Sequence, residues 1–327
     1  MKVALEVRRE EFDHLTKEWE ALLPRSWFDT VFLTPLWQRL WWEELGGGAG
    51  LLLAALREQG RLVAVVPLME SAGGISFLGD TDLWDYHDFI VAQGREEEVF
   101  PKLFAWLREQ RWRSLDLRSL PQGSPTLEHL PSLARAAGYA VNVTQEDVAP
   151  GVALSGSWEE HLARLSKKDR HEVRRKFRRL EQAGRYGWYS WNGATPLAGA
   201  LEQFLTLMRG SREDKAIFLT AERERFFRRM ASELAQAGLL RLFFLQVDDT
   251  VVASALCFDY ASRRLLYNSG YDVEYASLSV GLLLKALCLR DAIESGMAYF
   301  DFLRGSERYK YELGGTDVIL YRLLVER

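Results

Sequence analysis

Residues 166–184 read SKKDRHEVRRKFRRLEQAG, and eight of the thirteen positions from Lys167 to Arg179 are Lys or Arg. A run of cations this dense does chemistry where an anion arrives. It can grip nucleic-acid phosphates, anchor a phosphorylated substrate, or form a plain solvated face. Apolar Leu162, Leu165, Val173, Phe177 and Leu180 recur at helical spacing, so one side of this segment is expected to be buried, with SWEEHLARL running directly into the basic helix. Three features count against mere solvation. Only Asp169, Glu172 and Glu181 offset the charge. Like charges three and four residues apart repel one another along a helix. Arg dominates the later part, and its planar fork suits phosphate and carboxylate. A nucleic-acid duplex needs a wider basic surface than one helix.

A second chemical feature is ASLSVGLL at 276–283. Ser279 predicts an N-cap, and Gly281 falls in the first turn, where a missing side chain lets another group reach the backbone. The free N–H groups of a helix start, with the helix dipole, favour an anion there. Taken alone, the same residues also fit an ordinary capped helix packed on a sheet. A third feature is GDTDLWDYHD at 79–88, which gathers Asp80, Asp82, Asp85, His87 and Asp88. Carboxylates and imidazole are metal ligands, but this spacing matches no metal loop, so a solvated turn is expected and no metal is assigned. Cys257 and Cys288 share no metal or redox spacing and sit in apolar runs, as reduced core residues of a cytoplasmic protein do. His14, His129, His161 and His171 fall in helices without a visible partner.

The elements that must position these residues come in two sets. The chain has 327 residues, enough for two domains, with 48% hydrophobic and 27% charged residues. Its formal charge of −4 argues against general nucleic-acid binding. No apolar run approaches the roughly 20 residues that cross a bilayer, so no membrane insertion is expected, and MKVALEVRREEF does not read as a signal peptide. The first half predicts the order β-α-α-β-β-β-β-α-β-α-β, from the strand KVALEV to the strand YAVNVT. It includes a helix opened by Thr34 and Pro35 and a hairpin turning at Gln59-Gly60. The second half predicts the basic helix, a strand at YGWYSW, two helices, and a meander of three strands. A helix over 279–295, strand AYFDFL, short helix SERYKYEL and a final strand follow. A helix between RRLLYNSGY and AYFDFL makes a β-α-β crossover, so those strands should be parallel neighbours. The expected fold class is α/β (α+β): two tandem domains, 1–150 and 151–327, each a mixed, mostly antiparallel twisted sheet flanked by helices.

With this order of elements, SKKDRHEVRRKFRRLEQAG, YNSGYDVEYASLSVGLLL and YFDFLRGSERYKYELG together resemble the GNAT-type acyltransferases of the CelD-like group, named for bacterial cellulose biosynthesis. FLTPLWQRLWWEELGG and LGDTDLWDYHDFIV in the first half add to the likeness. More distantly, the basic stretch resembles the helix of Fem-type peptidyltransferases, which are two GNAT-like halves in one chain. The resemblance implies a cytoplasmic N-acyltransferase using acetyl-CoA or another acyl-CoA as co-substrate. The diphosphate would rest on Ser279, Val280, Gly281, Leu282 and Leu283. The family's phosphate motif departs here to Ala276-Ser-Leu-Ser279-Val-Gly281, which leaves two alternatives: an aminoacyl-tRNA donor, as in Fem-type enzymes, or a fold that has lost its donor and binds glycans. tRNA enters only through the first alternative. Glu96, Glu97 and Glu98 open the corresponding helix of the first half and would repel a diphosphate, so only the second half is expected to hold the donor. The likeness makes Tyr309 the general-acid candidate facing the coenzyme sulfur, with Tyr311 second. Asp301, at the end of its strand, is the candidate base or acceptor-orienting group, with Asp272 and Glu274 as alternatives. Lys168, Arg170 and Arg174 are expected to hold an anionic small-molecule or glycan-precursor acceptor, and Asp85 and His87 to contact it.

Overall fold

Caps and turns written into the sequence delimit the elements of the first half. The computed structural model of the chain describes residues 5–71 and 73–327. Strand β1 (Leu5–Arg9) leads into α1 (Phe12–Leu22) and α2 (Pro35–Leu45); residues 2–4 of the expected strand KVALEV lie outside the described residues. Thr34 caps α2 as predicted: its hydroxyl accepts the Trp37 amide at 3.2 Å, and Pro35 fills the first helical position. Strands β2 (Gly50–Glu58) and β3 (Arg61–Ser71) join through Gln59 and Gly60, both at positive φ (49° and 81°), the backbone of a tight two-residue hairpin. Then come β4 (Gly74–Phe77), β5 (Ile90–Val91), α3 (Glu96–Glu109), β6 (Ser114–Pro121), α4 (Pro125–Ala136) and β7 (Ala140–Ala153). The strand expected over YHDFIVA shrinks to Ile90–Val91. The Asp88 carboxylate accepts its neighbour's amide, Phe89 N, at 2.8 Å and the Thr126 hydroxyl, a local turn that competes with a sheet ladder.

The second half begins with α5 (Trp158–Arg164) and the basic helix α6 (Lys167–Ala183). The sequence predicts one continuous segment here, but Leu165 is extended (ψ 156°) and Ser166 starts a new helix, accepting the Asp169 amide at 3.1 Å. A residue that satisfies a helix start can end the helix before it. Next are β8 (Tyr186–Ser190), α7 (Leu197–Ser211), α8 (Glu213–Phe218) and α9 (Ala221–Gln236). The six-residue α8 carries no readable apolar period, so the sequence does not predict it. Strands β9 (Leu240–Val247), β10 (Thr250–Tyr260) and β11 (Arg263–Tyr271) form the meander, followed by α10 (Val280–Glu294), β12 (Tyr299–Asp301), α11 (Arg308–Glu312) and β13 (Thr316–Glu326). Among the described residues no helix is long and apolar enough to cross a membrane.

The chain folds into two compact units, Met1–Val148 with Val318–Arg327, and Ala149–Asp317. The last ten residues thus group with the first unit rather than with the segment that precedes them. In the first unit, β1, β2, β3 and β4 pair antiparallel in that order, β4 pairs parallel with β6, and β6 pairs antiparallel with β13. Leu52, Val66, Phe100, Leu103, Leu115, Leu323 and Val325 fill its core.

In the second unit, β8, β9, β10 and β11 pair antiparallel. Strand β11 then runs parallel to β12 over three registers, Arg263↔Tyr299 to Leu265↔Asp301, and β12 pairs antiparallel with Gly151–Ala153 of β7. The parallel pair predicted from the crossover is therefore present. Because β12 ends at Asp301 while β11 continues to Tyr271, the two strands part beyond Leu265. Phe243, Leu245, Leu283, Leu284, Leu287 and Phe300 are buried in this unit's core. Arg264, buried there, bonds Asp259 through two nitrogens at 2.7 and 2.8 Å and reaches Asp291 and the Cys288 carbonyl of α10, tying the crossover helix to the sheet. Both units are mixed α/β, mostly antiparallel, with one parallel pair bridged by a helix, as the fold class requires.

Candidate functional site

The start of α10 is built from an irregular approach. Val273–Leu278 forms a 3-10 turn, capped by Asp272, whose carboxylate accepts the Glu274 amide at 3.0 Å. Ser279 then adopts the left-handed conformation (φ 60°, ψ 32°). It stands at the predicted cap position, but its side chain caps nothing. Its carbonyl instead accepts the Leu282 and Leu283 amides at 3.1 and 3.0 Å. The Val280 and Gly281 amides donate to no acceptor among the described residues. Of the predicted anion-binding residues, Val280 and Gly281 thus present open N–H groups, while the amides of Leu282 and Leu283 are used inside the helix. A Cβ added at Gly281 would meet the Tyr271 ring at 3.1 Å, so the backbone is approachable here because the residue is glycine.

The freed Ser279 hydroxyl accepts from Arg179 Nη2, on the basic helix, at 2.9 Å. Arg179 Nε is buried and has no hydrogen-bond partner among the described residues. A buried guanidinium donor left open beside open amides is what an anion requires. The sequence pointed instead to Lys168, Arg170 and Arg174. Lys168 is exposed, Arg170 donates to the Ala163 carbonyl at 3.0 Å, and Arg174 pairs with Glu159 at 2.6 Å. Arg175 pairs with Glu172, and Lys176 lies 3.7 Å from Glu312. One signal could have singled out Arg179: it borders the buried stripe Val173–Leu180, so its side chain leaves the helix toward the protein rather than toward solvent.

From the helix start a cleft of about 200 Å³ runs between Tyr271, Ala276, Ser279, Val280, Gly281, Leu282, Lys285 and Tyr309. Tyr309, on α11, faces this cleft and packs edge-on against Phe302 with ring centroids 6.2 Å apart. Burial, and next the Glu307 carboxylate, push its phenol far above the ordinary range, which keeps the proton available for donation. The loop before α11 is held by Lys310, itself buried, which donates to the carbonyls of Leu303, Arg304 and Gly305 at 2.7, 2.6 and 2.9 Å and pairs with Glu307 at 3.0 Å. Asp301 braces the same loop: it is 2% exposed and accepts the Leu303 amide at 2.9 Å. It does not line the cleft, and its position is that of a strand-end capping group. Tyr311 turns outward and donates to Asp317 at 2.8 Å. Glu274 is exposed. His161, given no role from sequence, is buried with its Nε2 3.1 Å from the Leu313 carbonyl, directly after α11.

In the first unit a cavity of about 440 Å³ is lined by residues that include Ser76, Phe77, Asp80, His87, Asp116 and Arg118. The expected solvated turn is mostly buried here. His87 stacks on Phe77 at 5.5 Å and meets Trp84 edge-on at 4.7 Å. Asp80 accepts from Trp41 Nε1 at 3.1 Å and caps Asp82 and Leu83. Asp85 does not line this cavity. Among the described residues no group of three or more His, Cys, Asp or Glu side chains is placed to hold a metal ion.

Residues 167–311 match the acetyltransferase (GNAT) domain family. The match contains the basic helix, the meander, the open helix start and α11, so the chain carries a GNAT acetyltransferase domain and is an enzyme of the acyltransferase class. Among solved structures it is similar to FemX, at 12% identity and a TM-score of 0.67, covering 97% of this chain and 96% of that one. It is also similar to a tandem GNAT protein from the clavulanic acid biosynthesis pathway (15% identity, TM-score 0.53, 98% of both chains). A third likeness is to L-PGS from Bacillus licheniformis (11% identity, TM-score 0.56, 95% of this chain and 91% of that one). At these identities the likeness is one of fold. A search among curated proteins finds no match.

Proposed function

We propose that this protein is a CelD-like N-acyltransferase that moves an acyl group from acyl-CoA to an amine of an anionic acceptor, and that the second unit alone holds the donor. The observation that carries this reading is the set of open donors at the start of α10: the Val280 and Gly281 amides and the buried Arg179 Nε. Arg179 supplies a cation that the degraded motif at Ala276 no longer offers. At the start of α3 in the first unit, Glu96, Glu97 and Glu98 occupy the first turn and would repel a diphosphate.

The chemistry follows from the cleft. The Val280 and Gly281 amides and Arg179 would hold the coenzyme diphosphate, with the thioester reaching toward Tyr309. The uncharged acceptor amine would attack the thioester carbonyl carbon, the C–N bond forming as the C–S bond breaks; Tyr309 would protonate the departing thiolate and be restored by the proton that the amine nitrogen loses. Lys310 and Asp301 keep the loop rigid so that α11 presents Tyr309 to the cleft. The exposed cations of α6, Lys168 among them, draw the anionic acceptor. The buried free thiols Cys257 and Cys288 agree with a reducing, cytoplasmic setting.

Calorimetric titration with coenzyme A tests this. The wild-type protein is expected to bind. Gly281→Asp, which crowds Tyr271 and sets a carboxylate among the open amides, should abolish binding while the circular dichroism spectrum is kept. Arg179→Met should weaken it about tenfold or more, the loss expected for one charged hydrogen bond. Normal binding by Gly281→Asp would remove the donor from this helix. The Fem-type alternative draws on the exposed cationic face of α6: binding of a charged tRNA without any affinity for coenzyme A would favour it.

A further inference from the structure

The donor cleft contains a basic nitrogen that the transfer reaction does not use. Lys285 lies four residues after Gly281 on α10, on the same helix face and about 6 Å further along the axis. Its stem therefore rises from just beyond the open amides. Its Nζ lies 4.0 Å from the centre of the Tyr309 ring. Among the cleft-lining residues Lys285 is the one amine; the other ionisable side chains are the phenols of Tyr271 and Tyr309.

We propose that Lys285 is an internal acyl acceptor, taking the acyl group from a thioester bound at the start of α10 and becoming an Nε-acyl-lysine that fills the cleft. This rests on the donor reading given above. In the step, the Nζ lone pair attacks the thioester carbonyl carbon. The C–N bond forms, the C–S bond breaks, and the proton lost by nitrogen ends on the thiolate sulfur. The products are an amide and free coenzyme A, and no oxidant or reductant is needed. An amide is not a competent donor, so the modification is self-limiting. It removes the charge beside Tyr309 and occupies the space of the incoming acyl chain, which makes it a brake that engages when acyl donor exceeds external amine.

The electrostatics support a nucleophilic amine. Burial, then Lys215 of α8, pulls the Lys285 pKa down to about 7, with Lys310 acting in the same sense and Glu307 and Cys288 opposing. A substantial share of Lys285 is therefore the free amine at neutral pH, whereas a solvent-exposed lysine is almost wholly protonated. Lys215 is not a competitor: its Nζ is held by Asn268 Oδ1 at 3.0 Å and by the Ser269 carbonyl.

The test uses the full chain with acetyl-CoA, without external amine, followed by peptide mass spectrometry over time. Acetylation at Lys285 is expected at least about tenfold faster than at exposed Lys102 or Lys168. It should be suppressed by excess coenzyme A and should accelerate as pH rises from 6 to 8. Lys285→Arg should leave no fast site. If coenzyme A binds by calorimetry yet Lys285 is acetylated no faster than the exposed lysines, or at a rate unaffected by excess coenzyme A, this proposal falls and the donor reading stands. If coenzyme A does not bind, both fall.

Discussion

Single residues decide the electrostatics of both units. Asp88 is 3% exposed, and burial lifts its pKa to about 6 against the pull of Thr126, Ser124 and the Phe89 amide. A carboxyl whose folded pKa is raised contributes stability below its unfolded pKa near 4 and loses it as pH climbs through 6. At pH 7.5 the buried charge is a burden. Asp88→Asn keeps an acceptor for Thr126 and Phe89 and can donate to Ser124, so it should stabilise the protein by about 2 kcal/mol at pH 7.5. The gain should shrink toward pH 4, and urea unfolding at the two pH values reads it. An Asn variant less stable than wild type at pH 7.5 would show that the charge is needed. His87 and Asp80 show the limit of reading such a cluster from sequence. Four carboxylates and an imidazole in nine residues suggest solvent, whereas His87 packs between Phe77 and Trp84, Asp88 is buried, and Asp80 is half-buried against Trp41.

At the scale of elements, the crossover helix α10 is fixed by one buried cation. Arg264 of β11 reaches Asp259 of β10, and Asp291 and the Cys288 carbonyl of α10. Arg264→Met keeps the volume but strands Asp259, which is 8% exposed and keeps only its 2.9 Å contact with Arg241. The expected cost is about 3 kcal/mol in chemical denaturation, because a buried charge that loses its partner is penalised more than the pair was worth. Adding Asp259→Asn should recover part of it. A loss below about 1 kcal/mol would mean that Arg241 and solvent suffice. The break between α5 and α6 belongs to this scale too. Periodicity alone carried Leu162 and Leu165 into the basic helix, yet Ser166 is as good a cap as any in the chain, and a capping residue inside an apolar pattern outweighs the pattern.

For the molecule as a whole, the first unit is discontinuous in sequence. Its sheet takes in β13, whose Leu320, Leu323 and Val325 are fully buried and whose Arg322 bonds Asp116 of β6 at 2.7 and 3.0 Å. Removing Val318–Arg327 should therefore loosen the unit farthest from it in sequence. Amide hydrogen exchange at Leu115–Leu120 is expected to speed up by an order of magnitude or more. Unchanged protection of β6 would show that the first unit is complete without its last strand. The restart of the element pattern suggests a division at residue 150, whereas the compact units meet at Val148 and Ala149 and the first takes back Val318–Arg327. The return of the final strand could not be read from the sequence, because an apolar alternating strand fits either sheet and only pairing decides between them.

The sequence by itself determined the local and periodic features: the Thr34 cap, the Gln59-Gly60 hairpin, the β11–α10–β12 crossover with its parallel strands, and an approachable helix start at Gly281. These rest on backbone preferences acting over a few residues. Only the tertiary structure decided what meets at that start. Arg179 reaches Ser279 from 100 positions away, Lys285 stands over Tyr309, and Asp301 turns from the cleft to brace a loop. Which side chains share a cleft depends on how helices dock on a sheet, a packing outcome summed over the whole core that no local spacing encodes.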